Sequence, residues 1–364
     1  MSPPNALPDY PWGDQLPAPG TTLELAPGIH WLRVGLPFSL DHINLWVLRD
    51  RLPDEQHPGR WREGWTVVDC GVDTPETRAA WEAVEASTLQ GLPILRVIAT
   101  HMHPDHAGLA HWLCSRWQAD FWISATEYQA ARLALAGLTS FASQMTADFF
   151  ASHGWPQDAA MQANRQRGRY HELVPDLPSH FVRLLDGDVL HIGGRQWRCL
   201  SGYGHSPEHI ALHCEEDALC ISGDMLLPAI SSNVSVYAQE PVGNPLHGFL
   251  QSLARMRVVL PAPALVLPSH GRPFRGAHAR IDALIDHHHE RLDELLHACE
   301  HSPRSAHDVL PVLFRRALND HQMSFAMGEA VAHLHHLWHA GRLQRLRGSD
   351  GIYRFCKPGS ASAA

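Results

Sequence analysis

The densest run of metal-ligand side chains is Thr100-His101-Met102-His103-Pro104-Asp105-His106, a His-x-His-x-Asp-His pattern at the end of a short apolar strand. His101 and His103 are two apart, so on extended backbone their side chains project the same way and can grip one ion. Asp105 and His106 enter a helix N-terminus and can face a second ion nearby. Imidazole with carboxylate suits Zn2+, with Fe or Mn as alternatives. Three later segments fit the same plan. Gly204-His205-Ser206-Pro207-Glu208-His209 offers a histidine in a glycine-bounded turn. Ser222-Gly223-Asp224 and Pro268-Ser269-His270-Gly271 each place a ligand type just past an apolar strand.

Those side chains need a sheet to present them, and the pattern supplies one. Apolar and β-branched runs predict strands at Thr22–Leu25, His30–Val34, His42–Arg49, Trp65–Asp69, Leu95–Thr100 and Phe121–Ser124. A second set follows at Val189–His191, Gln196–Leu200, Ile210–His213, Leu219–Ser222 and Ala264–Leu267. Helices are expected at Ala107–Trp117, at Pro245–Val259 and at Ala277–Cys299, whose stripe includes Ile281, Leu284, His288 and Leu292. Residues 126–179 read as a helical insertion. After Ser302-Pro303, helices at Ala306–Leu318 and Met327–Ala340 precede a hairpin, a helix, helix, hairpin unit of winged-helix type over 301–357.

The ordered set of ligand segments resembles the metallo-β-lactamase-fold hydrolase superfamily over about residues 20–276, with a dinuclear site similar to that of glyoxalase II. The resemblance implies an α/β fold, an αββα sandwich. It implies that His101, His103 and His205 hold one metal, that Asp105, His106 and His270 hold the second, and that Asp224 bridges them. Asp69, in Val-Val-Asp-Cys-Gly, matches the family's early aspartate, which supports the ligands from behind. Cys70-Gly71 departs mildly from the usual Thr-Gly. Residues 277–300 would connect to a tail similar to the winged helix of one hydrolase branch, which includes an endoribonuclease-like mammalian protein. Asp224 argues against antibiotic hydrolysis, and His103 against flavodiiron oxygen reductases. The 45 residues between Asp224 and His270 leave no room for an inserted nuclease domain. Glyoxalase-II-like thioesterases and mononuclear iron sulfur dioxygenases share all seven ligands.

The resulting expectation is a dinuclear hydrolase that attacks an ester or thioester carbonyl of a small molecule, with two divalent ions and Asp105 orienting the attacking hydroxide. A single-strand endoribonuclease and an iron sulfur dioxygenase are the alternatives. Phe141, Met145, Phe149, Phe150, Trp155 and Met161 in the insertion point to an acyl-bearing substrate or to packing of the insertion onto the core. Arg165, Arg167 and Arg169 read as a solvated loop or an anion grip. The chain carries net charge −9, which disfavours a polyanionic partner. Residues 301–364 hold seven Arg and one Lys against three Asp and one Glu, yet Glu329, His333, His336 and His339 are the expected outward residues of the second tail helix, with no Arg or Lys among them. The tail is therefore expected to serve packing or a homodimer contact. Among the other histidines, His288 reads as a packed core residue, His335 and His339 as a solvated face, and His209 and His213 as structural. Seven scattered cysteines and an N-terminus without basic and apolar regions point to a cytoplasmic protein with no membrane partner.

Overall fold

The computed structural model describes residues 8–37, 40–54, 56–138, 144–166, 170–315 and 317–359. Two stacked sheets form its centre. The first runs in chain order: β1 (Thr22–Ala26), β2 (Ile29–Gly35), β3 (His42–Pro53), β4 (Trp61–Val68), β5 (Ile94–Ile98), β6 (Asp120–Ser124) and β7 (Val182–Leu184). It is antiparallel as far as β4 and parallel from β4 to β7. The second holds β8 (Val189–Ile192), β9 (Arg195–Gly202), β10 (His209–Cys214), β11 (Leu219–Gly223) and β12 (Leu265–Pro268) in the order β12-β11-β10-β9-β8. Only β11 and β12 are parallel there.

Alternation along the strands sorts side chains between two cores. Trp31, Trp46, Val68 and Ile98 face the second sheet and meet Trp197, Ile210 and Ile221. Leu32, Val47, Val67 and Val97 face outward, against α1 (Pro75–Ser87), α3 (Ala110–Trp117) and α4 (Ala125–Leu135). The sheets are also tied by a buried ion pair. Arg96 Nη2 lies 2.5 Å from Asp50 Oδ2 and donates to the His191 carbonyl at 2.7 Å.

The outer layer on the second sheet is one continuous core. It joins α8 (Pro245–Val259), α9 (Ala277–Ala298), the insertion helices α5 (Gln144–Ala151) and α6 (Gln157–Gln166), and the tail. The tail comprises α10 (Leu310–Leu313), α11 (Asp320–His339) and a hairpin of β13 (Gln344–Arg347) with β14 (Tyr353–Cys356). Two short helices, α2 (Pro104–Ala107) and α7 (Tyr170–Leu173), complete the chain. Among the described residues no helix is long and apolar enough to cross a membrane.

Several expectations shift. The helix expected over Ala107–Trp117 is broken between α2 and α3. A Cβ on Gly108 would stand 2.6 Å from the Gly71 carbonyl and 2.9 Å from that of Leu173, so the chain closes there against two loops. Pro311 in the first turn of α10 accounts for a start later than the expected Ala306, and Phe314 turns extended and ends the helix at Leu313 rather than Leu318. Helix α11 starts earlier than expected because Asn319 and Gln322 form a reciprocal cap. The outward face assigned to it is corrected: His333 and His335 are fully buried, since α11 runs through the core rather than over it. The aromatics of the insertion, Phe149, Phe150 and Trp155, are also buried in this core and are packing residues. Phe141, Arg167, Arg169 and the Arg165 side chain lie outside the described residues.

Because tail, insertion and α8–α9 share one core, they should unfold together. Leu337, fully buried on α11, tests this. Leu337→Ala should cost about 2–5 kcal/mol and leave a single urea transition by fluorescence and circular dichroism. A separate early transition for the tail would contradict the shared core.

Candidate metal centre

All seven expected ligand residues come together where strands of both sheets end. His101 follows β5, Asp224 follows β11, and His270 follows β12, while His205 sits in the turn from β9 to β10. Parallel pairing brings the ends of neighbouring strands side by side, so ligands far apart in sequence converge.

The atoms form two groups. His101 Nε2 lies 2.8 Å from His103 Nδ1 and 3.3 Å from His205 Nε2. His270 Nε2 lies 3.4 Å from Asp105 Oδ2, and His106 Nε2 lies 3.6 Å from the same oxygen. Asp224 stands between the groups. Its Oδ2 is 3.3 Å from His205 Nε2, and its Oδ1 is 3.5 Å from His106 Nε2 and 3.4 Å from His270 Nε2. Ligand atoms about 2.1 Å from one tetrahedral ion stand about 3.4 Å apart; the spacings of 3.3 to 3.6 Å match this, and the His101–His103 pair at 2.8 Å is closer. His106 Nε2 and Asp224 Oδ1 are buried with no hydrogen-bond partner, as expected of atoms directed at a cation. The donor set therefore fits metal ions.

Each imidazole but that of His103 is oriented from behind. His106 Nδ1 donates to Asp69 Oδ2 at 2.8 Å, His205 Nδ1 to the Asn233 carbonyl at 2.8 Å and His270 Nδ1 to the His42 carbonyl at 2.7 Å. His101 Nδ1 meets the Thr100 hydroxyl at 3.0 Å, which in turn donates to Asp69. A proton on Nδ1 leaves the Nε2 lone pair facing inward. Asp69, fully buried at the end of β4, also accepts the Thr100 N–H at 2.8 Å and so anchors the whole loop.

Burial, reinforced by neighbouring imidazoles, holds His101 well below its ordinary range and His103 down at about 3, so both are neutral. Burial also opposes charge on His106, but Asp69, Asp105 and Asp224 overcome it and lift that group to about 9. His270 is likewise lifted well above its usual value, against burial, by Asp224 and Asp105. Burial works against the Asp105 carboxylate, but His106 and His270 prevail and bring it to about 2. In the second group, then, the carboxylates favour positive charge on the imidazoles beside them.

Two supporting residues escape the sequence pattern. Glu127 is fully buried, and its two carboxylate oxygens accept the N–H of Met102 at 2.9 Å and of Glu208 at 2.7 Å. It clamps the loop of His101 and His103 to the loop of His205. Its sequence context, Ser124-Ala-Thr-Glu127, reads as a helix cap, and Ser124 does accept the Glu127 N–H. His209, read as structural, lies directly behind the site. Its Nε2 accepts the Asp224 N–H at 3.1 Å, in space left open because residue 223 is glycine.

Glu127→Ala would strand two buried N–H groups, each costing about 1–3 kcal/mol. Urea unfolding should show a loss of about 2 kcal/mol or more, and a smaller loss for Glu127→Gln, which keeps one acceptor. Wild-type stability in Glu127→Ala would contradict the clamp.

Comparison with known proteins agrees with this geometry. Residues 62–296 match the metallo-beta-lactamase superfamily, and residues 292–358 match the metallo-beta-lactamase-like C-terminal domain. A crystal structure of a beta-lactamase domain protein from Burkholderia ambifaria is 49% identical, with a TM-score of 0.89 over 96% of this chain and 98% of that one. The probable metallo-hydrolase YqjP of Bacillus subtilis is 24% identical, covering 83% of this chain and 90% of its own. An acyl-coenzyme A thioesterase of Gallus gallus is 26% identical over 56% of this chain and 64% of its own. With its strand-end cluster of histidines and aspartates, the chain is a metallo-hydrolase belonging to the metallo-beta-lactamase superfamily.

Proposed function

We propose that this protein is a dinuclear hydrolase that cleaves an ester or thioester of a small acyl-bearing molecule. The observation that carries the reading is Asp224, whose two oxygens face opposite ligand groups at 3.3 to 3.5 Å. His101, His103 and His205 would hold one ion, Asp105, His106 and His270 the other, and Asp224 both; Zn2+ suits the set, with Fe or Mn as alternatives. Such ions lower the pKa of a bound water and polarise the carbonyl to be attacked. Asp105, held ionised and with a side chain 16% exposed, can accept a hydrogen bond from the attacking water. Asp69, Asn233 and the His42 carbonyl keep the imidazoles from turning. Support for the acyl substrate comes from the thioesterase relative and from the acidic chain, which disfavours a polyanion such as RNA. The tail we read as a winged-helix-like unit turned to packing, because α11 is buried.

The test is kcat/KM for a panel of acyl thioesters, esters and single-stranded RNA on one preparation. His103→Ala serves as the contamination control and should lose nearly all turnover and one bound ion. Efficient RNA cleavage with no ester or thioester turnover would overturn the acyl reading. Iron content with oxygen uptake would replace it with the dioxygenase.

Metal binding should also release protons. The carboxylates around His106 and His270 favour the protonated imidazoles when no cation is bound, so filling the second group should release protons. Titration calorimetry in buffers of different ionisation enthalpy measures the number. Affinity should rise with pH until these groups are neutral, near 9 for His106. A pH-independent affinity between 6 and 9 would contradict the assignment.

A further inference from the structure

Two of the proposed ligands depend on the irregular segment 231–243, between β11 and α8. The Asn233 carbonyl takes the His205 Nδ1 proton at 2.8 Å, and the Ser232 hydroxyl donates to the Asp224 carbonyl. Residues 231–237 have no regular secondary structure to hold that path. Val234 and Val236 anchor the segment in the shared core, and α11, in the tail, supplies much of its hydrogen bonding.

The contacts run along most of that helix. The Val236 N–H donates to the Gly328 carbonyl at 3.2 Å. A Cβ on Gly328 would stand 2.5 Å from the Ser235 Oγ and 2.7 Å from its Cβ. Helix propensity alone favours alanine at this position, so the glycine serves the close approach of the segment. Further on, His335 Nδ1 donates to the Gly243 carbonyl at 3.0 Å and His339 Nε2 to the Val242 carbonyl at 2.8 Å. A third strut passes through α9. The Ser231 hydroxyl donates to His288 Nε2 at 3.2 Å, His288 Nδ1 to His333 Nε2 at 3.2 Å, and His333 Nδ1 to the Glu329 carbonyl at 2.8 Å. A carbonyl can only accept, so each proton in this chain has one direction.

We propose that α11 is a positioning element of the metal centre, which through segment 231–243 orients the His205 imidazole and places Asp224. The tail would then tune metal affinity without touching a metal. The inference rests on the reading of His205 and Asp224 as ligands.

Metal-free full-length protein is titrated with Zn2+ against a chromophoric chelator, and with Co2+ by visible absorption. The wild type comes first: failure to bind either ion would refute the ligand reading itself. Given binding, Gly328→Ala should weaken one ion by tenfold or more and alter the Co2+ bands, with thermal unfolding of the metal-free form little changed. Adding Ser235→Gly removes the atoms that the new methyl meets, together with the Ser235 hydrogen bond to Asn233 Oδ1 at 2.6 Å, and should restore affinity in part. His339→Ala, at an exposed position, should weaken the same ion by about threefold. The inference is overturned if Gly328→Ala folds and binds as the wild type does, or if Ser235→Gly restores nothing. Should Gly328→Ala not fold, wild-type binding by His339→Ala overturns it.

Discussion

The structure turns on one constraint: buried imidazoles must each keep a lone pair directed at a common centre. Most buried polar atoms find a hydrogen bond within the protein. Here one nitrogen of His106, His205 and His270 is tied to a carboxylate or a carbonyl, and that of His101 to the Thr100 hydroxyl. The other is left to the cluster. Such an arrangement is costly without a cation, and Asp69, Asp105 and Asp224 raise the proton affinity of His106, as Asp224 and Asp105 do that of His270.

Holding that geometry requires loops that do not drift, and the chain secures them by buried bonds. Asp69 ties the Thr100 peptide to the end of β4. Glu127 spans the loops of His101 and His205 from behind, with both oxygens occupied by backbone N–H groups. On the far side, Asn44 donates to the carbonyls of Pro268 and Gly271, on either side of His270. In each case a side chain outside the candidate ligand set fixes the backbone beside a candidate ligand, so the sheet's rigidity is passed to the site.

The second sheet contributes through its outer layer. Because α11 lies in one core with α8 and α9, the tail is part of the body that carries His205 and Asp224. Its histidines are used as directional linkers: His333, His335 and His339 each bond a backbone carbonyl.

The sequence by itself determined the candidate ligands and the alternation of strands and helices. Both are local facts: His101 and His103 share a face of extended chain, and apolar runs of fixed period mark strands and helices. The order of His101, Asp224 and His270 at strand ends was legible for the same reason. The burial of His333 and His335 was not, because a histidine has no fixed preference for inside or outside and its place depends on what packs against the helix. Nor was the role of Glu127, whose spacing fits a cap as well as a clamp. Only tertiary structure decided these points, since the Met102 and Glu208 N–H groups and the Gly328 approach to Ser235 join residues distant in sequence.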